Sequence, residues 1–431
     1  MAGREASSLP FPKKAPGTRD PDSPFDHIIV VMMENHSFDN LLGTHPGANG
    51  LSFQNGKATN SNPGAPHTPD PVTAFELPDT SQGKHVSQSW ANSHKQINGG
   101  EMDGFVRSAG SIQPMGYYTK KTVPFAYSLA EAFTVGDKWF CSMPGPTYPN
   151  RRFLMAGTAY GATVTAPSTL LEPPPRHLTI FDSLSHFHIN WCNYFSDLPM
   201  TAVIPWIIAG HSGHLAPITK FFHDCKAGTL PAVSFVDPRV GVLSSIGLPL
   251  GTLSDPIKAQ VPGGMTFDAT GPAETQEDPQ DMYWGELWAY NVVQAVMASP
   301  VWDRTVLIYI YDEHGGYFDH VAPPQAIPPD DIDPKLQPGD PPGAYDMYGP
   351  RVPAIVVSPL APIGGVTSVV HDHTSVLATI ERKFNLPALT NRDANAETVL
   401  DFLTLGTPPA ERPELVAPRK GTPSGPVTQT S

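Results

Sequence analysis

Acidic side chains stand at the end of two apolar segments of the sequence. Glu34 and Asn35 follow HIIVVMM at residues 27–33, and Asp312 and Glu313 follow VLIYIY at residues 306–311. Three carboxylates at one site repel one another unless a cation lies among them. Oxygen ligands of this kind suit Mg²⁺, Ca²⁺ or Mn²⁺, with Zn²⁺ as a further choice. The pattern therefore indicates one divalent metal ion held by Glu34, Asp312 and Glu313. The alternative is that each acid caps a neighbouring loop or pairs with an arginine.

A candidate nucleophile lies in the segment SMPGPTYPNRRFLMAGT at residues 142–158. Gly145 and Pro146 predict a tight turn before Thr147, and a helix is predicted to begin near Arg151. Backbone N–H groups at the start of a helix favour an anionic phosphate. Thr147 is therefore a candidate hydroxyl for phosphate chemistry, and the plainer interpretation is a turn or N-cap hydroxyl.

Two histidines are further candidates. His94 lies in SWANSHKQINGGEMDGF at residues 89–105, and His373 follows Asp372 near the end of the chain. A single histidine is more often a structural hydrogen-bonding residue than a catalyst. Neither residue carries a prediction by itself.

Strands and helices that would position these side chains alternate along the sequence. Continuous apolar runs predict strands buried on both faces at residues 27–33, 187–192, 232–236, 306–311 and 354–358. Apolar residues at helical spacing predict helices over 282–299 and 375–384. This order predicts an α/β fold, a three-layer sandwich with a mainly parallel central sheet. Ligands gather at the carboxyl ends of such strands, where the acids lie.

The chain of 431 residues is interpreted as a single domain over residues 25–405, with a flexible N-terminus at 1–24 and a flexible C-terminal tail at 406–431. Two irregular regions, residues 44–100 and 323–349, are too long for ordinary connections. We assign these long loop insertions to substrate access.

The charge balance argues against some partners. The sequence has 41 acidic and 27 basic residues and a formal charge of -14, which disfavours nucleic acid and anionic membrane surfaces. No apolar stretch is long enough for a membrane span, and residues 1–24 contain no signal-peptide core. We expect no stable membrane insertion. The location is expected to be cytoplasmic, or secreted if a leader has been removed. The sequence does not indicate an oligomeric state. Cys141, Cys192 and Cys225 are too far apart for a zinc knuckle or a disulfide framework.

Five sequence blocks, taken in order, resemble a known family. They are MENHSFDNLLG, NGGEMDGF, PGPTYPNRRFLMAGT, YDEHGGYFDHVAPP, and YGPRVPAIVVSP followed by HDHTSVLATIERKF. Together they are similar to the phosphoesterase family that contains bacterial phospholipases C, plant non-specific phospholipases C and AcpA-type acid phosphatases, relatives of the alkaline phosphatase superfamily. The resemblance implies an alkaline-phosphatase-like fold and a hydrolase that acts on phosphate esters or phospholipids.

The resemblance also implies roles for individual residues. Glu34, Asp312 and Glu313 would hold the metal, and Thr147 would be the nucleophile. Asn35 would bind a phosphoryl oxygen. His94 would contact the phosphate or protonate the leaving oxygen, with His373 as a weaker candidate for binding substrate or donating that proton.

The sequence departs from the family pattern at two positions. Relatives commonly carry histidine in an EHP or DHPP block, whereas this chain reads QEDPQDMYWGE at residues 276–286, with Glu277 and Asp278. Tyr148 stands where many relatives have histidine after the nucleophile. These differences predict altered leaving-group protonation or substrate choice.

The function predicted from the sequence is metal-assisted hydrolysis of phosphate esters through a phosphothreonine intermediate, of the phospholipase C type, the acid phosphatase type or both. The alternative is a catalytically weakened protein that binds phosphorylated or phosphocholine-bearing ligands. The missing histidine motivates the alternative.

Overall fold

The apolar segments between residues 27 and 358 form the centre of one large sheet. The structure is a computed structural model that describes residues 3–166, 169, 178–240, 272–406 and 410–420. Within these residues the sheet has eight strands: β1 (His27–Met33), β2 (Thr134–Gly136), β3 (Trp191–Phe195), β4 (Leu215–Pro217), β5 (Val233–Asp237), β6 (Thr305–Tyr311), β7 (Ala354–Val357) and β8 (Val366–Thr367).

The strand order is β4-β3-β5-β1-β6-β7-β2-β8. Neighbouring strands are parallel except that β7 is antiparallel to both β6 and β2. At the centre, Met33 of β1 lies beside Tyr311 of β6. The residues that follow both strands therefore emerge side by side at one edge of the sheet.

One predicted strand is wrong in position. Residues 187–192 were predicted as a strand, but β3 begins at Trp191. Phe187 instead closes the preceding helix, and His188 adopts a left-handed φ of 54°. An apolar run can end a helix as readily as it can form a strand, and the run by itself does not distinguish the two.

Helices cover both faces of the sheet. They are α1 (Phe38–Leu42), α2 (Trp90–Ile97), α3 (Phe105–Ala109), α4 (Pro124–Ala132), α5 (Thr147–Ala156), α6 (Ile180–His186), α7 (Pro205–His211), α8 (Ile218–Ala227), α9 (Met282–Ala298), α10 (Thr374–Phe384) and α11 (Asn391–Ala394). Helix α5 packs against α6 and α10, and helix α9 packs against α4 and α8. Every residue of β6 is buried, as expected for a strand covered on both sides. The predicted α/β fold with a mainly parallel central sheet is confirmed.

The first irregular region contains short strands as well as α2. Phe53–Gln54 pairs with Lys57–Ala58, Ser61–Asn62 with Val72–Thr73, and Phe75–Glu76 with Gly116–Tyr117. A small second core forms here from residues such as Leu51, Phe105 and Phe318. In residues 323–349 one isolated bridge joins Gln325 and Met347. The assignment of both regions to substrate access stays a prediction.

Residues near both chain ends contact the domain. The Ser7 N–H donates to the Ala388 carbonyl at 2.7 Å, and the Asp20 N–H donates to the Lys383 carbonyl at 2.7 Å. Leu415 is buried. Residues 407–409 and 421–431 of the predicted tail lie outside the described residues. The division into one domain with two flexible ends stays a prediction.

The three cysteines are all free and buried. Among the helices described above, none is both long enough and apolar enough to cross a bilayer.

Candidate active site

The carboxyl ends of β1 and β6 bring Glu34, Asn35, Asp312 and Glu313 together. The Asn35 N–H donates to Asp312 Oδ1 at 3.2 Å, and the Glu313 N–H donates to the same oxygen at 2.7 Å. All four residues are buried. Two chain segments that are almost 280 residues apart in sequence therefore meet through backbone hydrogen bonds to one carboxylate.

A glycine makes this close approach possible. Gly315 has φ +65°, and a Cβ atom placed there would lie 2.0 Å from the Asn35 carbonyl oxygen. No side chain fits at that distance, and L-residues avoid this backbone conformation. The glycine after Asp312-Glu313-His314 is therefore required for the two strand ends to lie together.

Arg151 is a site residue that sequence reasoning missed. Its Nε donates to Asp312 Oδ2 at 3.1 Å, and its Nη2 donates to Glu34 Oε1 at 3.1 Å. The prediction that a helix begins near Arg151 is wrong by one turn, because α5 begins at Thr147. The alternative that the acids pair with an arginine or cap a loop therefore holds in part for Glu34 and Asp312.

Thr147 is the first residue of α5, one helical turn before Arg151. Residues four apart lie on the same face of a helix, so the Thr147 hydroxyl and the guanidinium share one side of α5. The turn before the helix is fixed by Asn150, whose Nδ2 donates to the Gly145 carbonyl at 2.9 Å and whose Oδ1 accepts from the Met143 N–H at 3.2 Å. The helix thus links the candidate nucleophile to two of the candidate metal ligands.

The site gathers three carboxyl groups around one guanidinium. Burial raises the pKa of Asp312 to about 7, although Arg151 opposes the shift. Burial, and then the charge of Asp312, raise the pKa of Glu313 well above its usual value. Glu313 Oε1 has no hydrogen-bond partner, while its Oε2 accepts the Gly315 N–H at 2.7 Å.

Asn35 points to a ligand in the same place. Both side-chain atoms of this fully buried residue lack a hydrogen-bond partner. A buried, unpaired amide costs free energy, and such groups are normally satisfied by a ligand or ordered water. The free donor and acceptor fit an anionic group bound beside the carboxylates. The carboxylate oxygens of Glu34, Asp312 and Glu313 do not all lie within 4.8 Å of one another, so the assignment of the metal to these three residues stays a prediction.

His373 contacts the backbone of Asp312 and not its carboxylate. Its Nε2 donates to the Asp312 carbonyl oxygen at 2.6 Å, and its Nδ1 accepts from the Trp139 indole N–H at 3.4 Å. Burial lowers the pKa of His373 to about 4, so the ring is neutral at ordinary pH. Both ring nitrogens already have partners. The substrate-binding role of His373 stays a prediction. In the structure its ring holds the backbone of Asp312 in place.

His94 lies in α2 and makes none of the hydrogen bonds described above for the three acids and Asn35. Its Nδ1 donates to the Trp90 carbonyl at 2.8 Å, and its ring packs against the Trp90 ring at a centroid distance of 4.5 Å. A Cβ at Gly343 would come within 3.5 Å of its Nε2, so the ring lies close to the 323–349 region. Its predicted part in phosphate contact or proton donation stays a prediction.

The two departures from the family pattern both reach the site. The Glu34 N–H donates to the Thr275 carbonyl at 2.9 Å, which brings the segment before Glu277 beside β1. Burial, and then the charges of Glu34 and Asp312, raise the pKa of Glu277 to about 9. Burial, and then Glu34, raise the pKa of Tyr148 to about 12. The family pattern pointed to these positions, but only the fold brings both within the influence of the Glu34 charge.

A second acidic group follows the same two strands along the chain. Asp39, Asp319 and His320 have possible ligand atoms within 4.8 Å of one another, the one such group of three found in the described part of the chain. Arg351 already occupies it, with Nε donating to Asp319 Oδ1 at 2.9 Å and Nη2 to Asp39 Oδ1 at 3.1 Å. The two carboxylates of this group are therefore paired with an arginine. At the first site, by contrast, Glu313 and Asn35 keep side-chain atoms without a hydrogen-bond partner.

Comparisons with known proteins agree with the five sequence blocks. The chain is 32% identical to non-specific phospholipase C6 of Arabidopsis thaliana over 95% of its own length and 78% of that protein. It is 30% identical to a non-hemolytic phospholipase C of Burkholderia pseudomallei, over 89% and 58% of the two chains. It is 28% identical to phospholipase C B of Mycobacterium tuberculosis, over 91% and 80%.

Likeness to solved structures is weak. A protein of the alkaline phosphatase superfamily from Vibrio parahaemolyticus aligns with 83% of this chain and 76% of its own, at 11% identity and a TM-score of 0.37. That score is too low to carry a conclusion about the site. The sequence comparison is decisive instead, since the model of the phosphoesterase family matches residues 25–387. The chain therefore belongs to the phosphoesterase family, and it is a phosphoric ester hydrolase.

Proposed function

We propose that the chain hydrolyses phosphate esters in two steps of the phospholipase C type, with Thr147 carrying the phosphoryl group between them. The observation that carries this proposal is the position of Thr147 at the start of α5, one turn from the guanidinium that binds Glu34 and Asp312. The names of the phospholipase C relatives support a phospholipid substrate.

One divalent cation, Ca²⁺, Mg²⁺, Mn²⁺ or Zn²⁺, would be held by Glu34, Asp312 and Glu313, and when bound it would acidify a hydroxyl and offset phosphate charge. The free Asn35 amide supports this assignment, because its N–H₂ group can donate to a nonbridging phosphoryl oxygen. Arg151 keeps Glu34 and Asp312 in a fixed geometry.

In the first step the Thr147 oxygen forms a bond to phosphorus, and the bond from phosphorus to the leaving alcohol breaks. The alcohol takes a proton from a donor, for which His94 is the candidate carried over from the family. The Thr147 hydroxyl gives up its proton to solvent in this first step. In the second step water attacks phosphorus, and the bond from phosphorus to the Thr147 oxygen breaks. The water hydroxyl leaves on the phosphate or the phosphorylated head group, and the other water proton goes to the Thr147 oxygen. Backbone N–H groups at the start of α5 favour the phosphate charge throughout.

The test is hydrolysis of p-nitrophenyl phosphorylcholine and p-nitrophenyl phosphate by the wild type, Thr147→Ala and Thr147→Ser. We expect Thr147→Ala to lower kcat by about 10³-fold or more, because the nucleophile is lost. Thr147→Ser keeps a hydroxyl and is expected to retain measurable turnover and a trapped phosphoenzyme. Full activity of a folded Thr147→Ala protein would overturn the proposal.

A catalytically weakened member of the family, which mainly binds phosphorylated or phosphocholine-bearing ligands, is the second candidate. The observation that favours it is the presence of Glu277 and Tyr148 where relatives commonly have histidines. Calorimetric binding of phosphocholine by the wild type, together with no product from either ester, would support this candidate over hydrolysis.

A further inference from the structure

The chain segment before helix α2 brings His85 to the end of β1. The Val86 N–H donates to Asp278 Oδ2 at 3.3 Å. Three residues before Asp278, the Thr275 carbonyl accepts the Glu34 N–H at 2.9 Å. This short stretch of backbone therefore joins the segment of His85 to the strand end that carries Glu34.

The same segment also lies against the residues that follow β6. A Cβ atom placed at Gly316 would lie 3.1 Å from the Ser87 carbonyl oxygen. Gln96 makes a second connection, because its Nε2 donates to the Ser87 carbonyl at 3.0 Å and its Oε1 accepts from His314 Nε2 at 2.8 Å. Gly316 and His314 belong to the turn that carries the acids at the end of β6. The segment of His85 therefore borders both strand ends that form the site.

A buried carboxylate holds one nitrogen of the His85 ring. His85 Nδ1 donates to Asp278 Oδ1 at 3.1 Å. The Asp278 side chain is 1% exposed, and its Oδ2 accepts the Tyr317 hydroxyl at 3.3 Å and Gln113 Nε2 at 3.2 Å. A carboxylate that several donors fix in place also fixes the orientation of the imidazole that it binds. The contact brings a histidine to the Glu277–Asp278 block, which contains none.

The other nitrogen of the His85 ring is available to a substrate. The His85 side chain is 48% exposed, and its Nε2 makes no hydrogen bond with the residues that the structure describes. A second acidic group faces the ring, since Glu277 Oε1 lies 4.0 Å from Nδ1. The hydrogen bond to Asp278 raises the pKa of His85 above its usual 6.5, because the carboxylate favours the charged ring. A half-exposed, oriented imidazolium of this kind is suited to giving up a proton.

The other histidines beside the acids are less suited to that role. His36, His314 and His373 are fully buried, so their rings cannot exchange protons with solvent in this structure. His94 donates through Nδ1 to a backbone carbonyl and not to a carboxylate, and burial lowers its pKa. His85 therefore combines a carboxylate partner with exposure to solvent.

We propose that His85 donates the proton to the leaving alcohol, and that Asp278 is the positioning residue that orients its ring. The proposal rests on the proposed hydrolase function and gives the proton donor a residue other than His94. As the bond from phosphorus to the leaving oxygen breaks, the Nε2 proton passes to that oxygen and the ring becomes neutral. Nε2 then takes up a proton from the solvent, which has received the Thr147 proton, and the ring returns to its charged form.

The experiment compares two phosphorylcholine esters that differ in the leaving group. The p-nitrophenolate of p-nitrophenyl phosphorylcholine is a stable anion and leaves without a proton. The diacylglycerol of dihexanoylphosphatidylcholine would leave as a strongly basic alkoxide and needs one. The lipid is used below its micellar concentration, so that binding to an interface does not enter the comparison.

We expect His85→Gln to lower kcat/KM for the lipid by about 10²-fold or more, and to change the value for p-nitrophenyl phosphorylcholine by less than about threefold. Asp278→Asn should act in the same direction by a smaller factor, because the amide oxygen can still accept from Nδ1 but carries no charge. A purely structural role would lower both values alike.

Two other histidines provide the controls. His211 is matched to His85, since its Nε2 lies 2.8 Å from the carboxylate oxygen Oδ1 of Asp182. His211→Gln should leave both values as in the wild type. His94→Gln distinguishes the two candidate donors, and the ratio of its two values should equal that of the wild type.

Several results would overturn the proposal. Equal losses with the two esters in His85→Gln, or wild-type values with both, would remove the donor role from His85. A loss confined to the lipid in His94→Gln would give that role to His94. In these cases activity that still requires Thr147 leaves the proposed function intact, whereas a wild type that hydrolyses neither ester would defeat the proposed function itself. If His85→Gln does not fold, His85→Asn supplies the same comparison.

Discussion

At the scale of single residues, Arg151 decides how the carboxylates of the site are arranged. It is buried and hydrogen-bonded to both Glu34 and Asp312. Pairing with arginine and binding of a metal are therefore compatible, since one guanidinium cannot neutralise the three acids that gather here. Its place on α5 also connects the carboxylates to Thr147.

Replacing Arg151 by methionine should destabilise the protein in a way that depends on divalent cations. The variant leaves two buried carboxylates without their partner, which costs about 3–5 kcal/mol of unfolding free energy in the presence of chelator. A cation that binds the same carboxylates should recover part of this loss. The measurement is urea unfolding of wild type and variant, with chelator and with each candidate cation.

The neighbouring arginine provides the matched control for this experiment. Arg152 is also buried, but its recorded hydrogen bonds go to the carbonyls of Val203, Ala159 and Thr169. Arg152→Met should lose stability without any dependence on the cation. Equal behaviour of the two variants would show that Arg151 does not share its carboxylates with a metal.

At the scale of elements, the site depends on the close approach of the segments that follow β1 and β6. No side chain fits between these segments at Gly315. Gly315 touches the Asn35 carbonyl, and both residues adopt left-handed backbone conformations. The strands supply direction and register, while these two turns aim Asn35 and the acids at a common point.

Gly315→Ala should disrupt the site and destabilise the fold by more than about 4 kcal/mol, because the new Cβ clashes with backbone in addition to the cost of the left-handed conformation. Gly110→Ala measures the cost of the left-handed backbone conformation alone. Gly110 has φ +63°, and a Cβ there would meet nothing within 4 Å, so about 1–2 kcal/mol is expected. Chemical unfolding and ester hydrolysis of both variants test this difference. Similar losses in the two would contradict the role given to the close approach.

At the scale of the whole molecule, covering the sheet on both faces also buries ionisable groups that have no part in the site. Glu286 of α9 is fully buried, where Oε1 accepts the Ala126 N–H at 2.8 Å at the start of α4 and Oε2 has no partner. Burial raises the pKa of Glu286 to about 8. The packing of two helices thus ties the stability of the fold to pH.

Glu286 should make the protein less stable as pH rises. Its folded pKa of about 8 lies above the usual 4.5, so the folded state holds a proton that the unfolded chain releases between these values. Stability from this group is complete below pH 4.5 and is lost towards pH 8, at about 1.4 kcal/mol per pH unit. Glu286→Gln should remove that slope and make the protein more stable than the wild type at pH 8. Urea unfolding from pH 5 to 8 measures both, with exposed Glu397→Gln expected to follow the wild type.

The sequence by itself determined the central strands, the two long helices and the residues that follow the strands. Residues 27–33 and 306–311 were predictable because continuous apolar runs of this length, rich in β-branched residues, are typical of strands buried on both faces. The helix at 282–298 was predictable because its apolar spacing ends at Pro300. These are local signals, carried by neighbours along the chain, and the family blocks added the candidate roles of the acids and Thr147.

Only the tertiary structure decided which groups share the site. Arg151 bonds Glu34 and Asp312, and the charge of Glu34 acts on Glu277 and Tyr148, because segments far apart in sequence pack at one edge of the sheet. His373 contacts the Asp312 backbone carbonyl for the same reason. Composition and spacing describe each segment separately, whereas charge compensation, burial and close backbone approach arise between segments, and they take effect only once the sheet has brought the strand ends together.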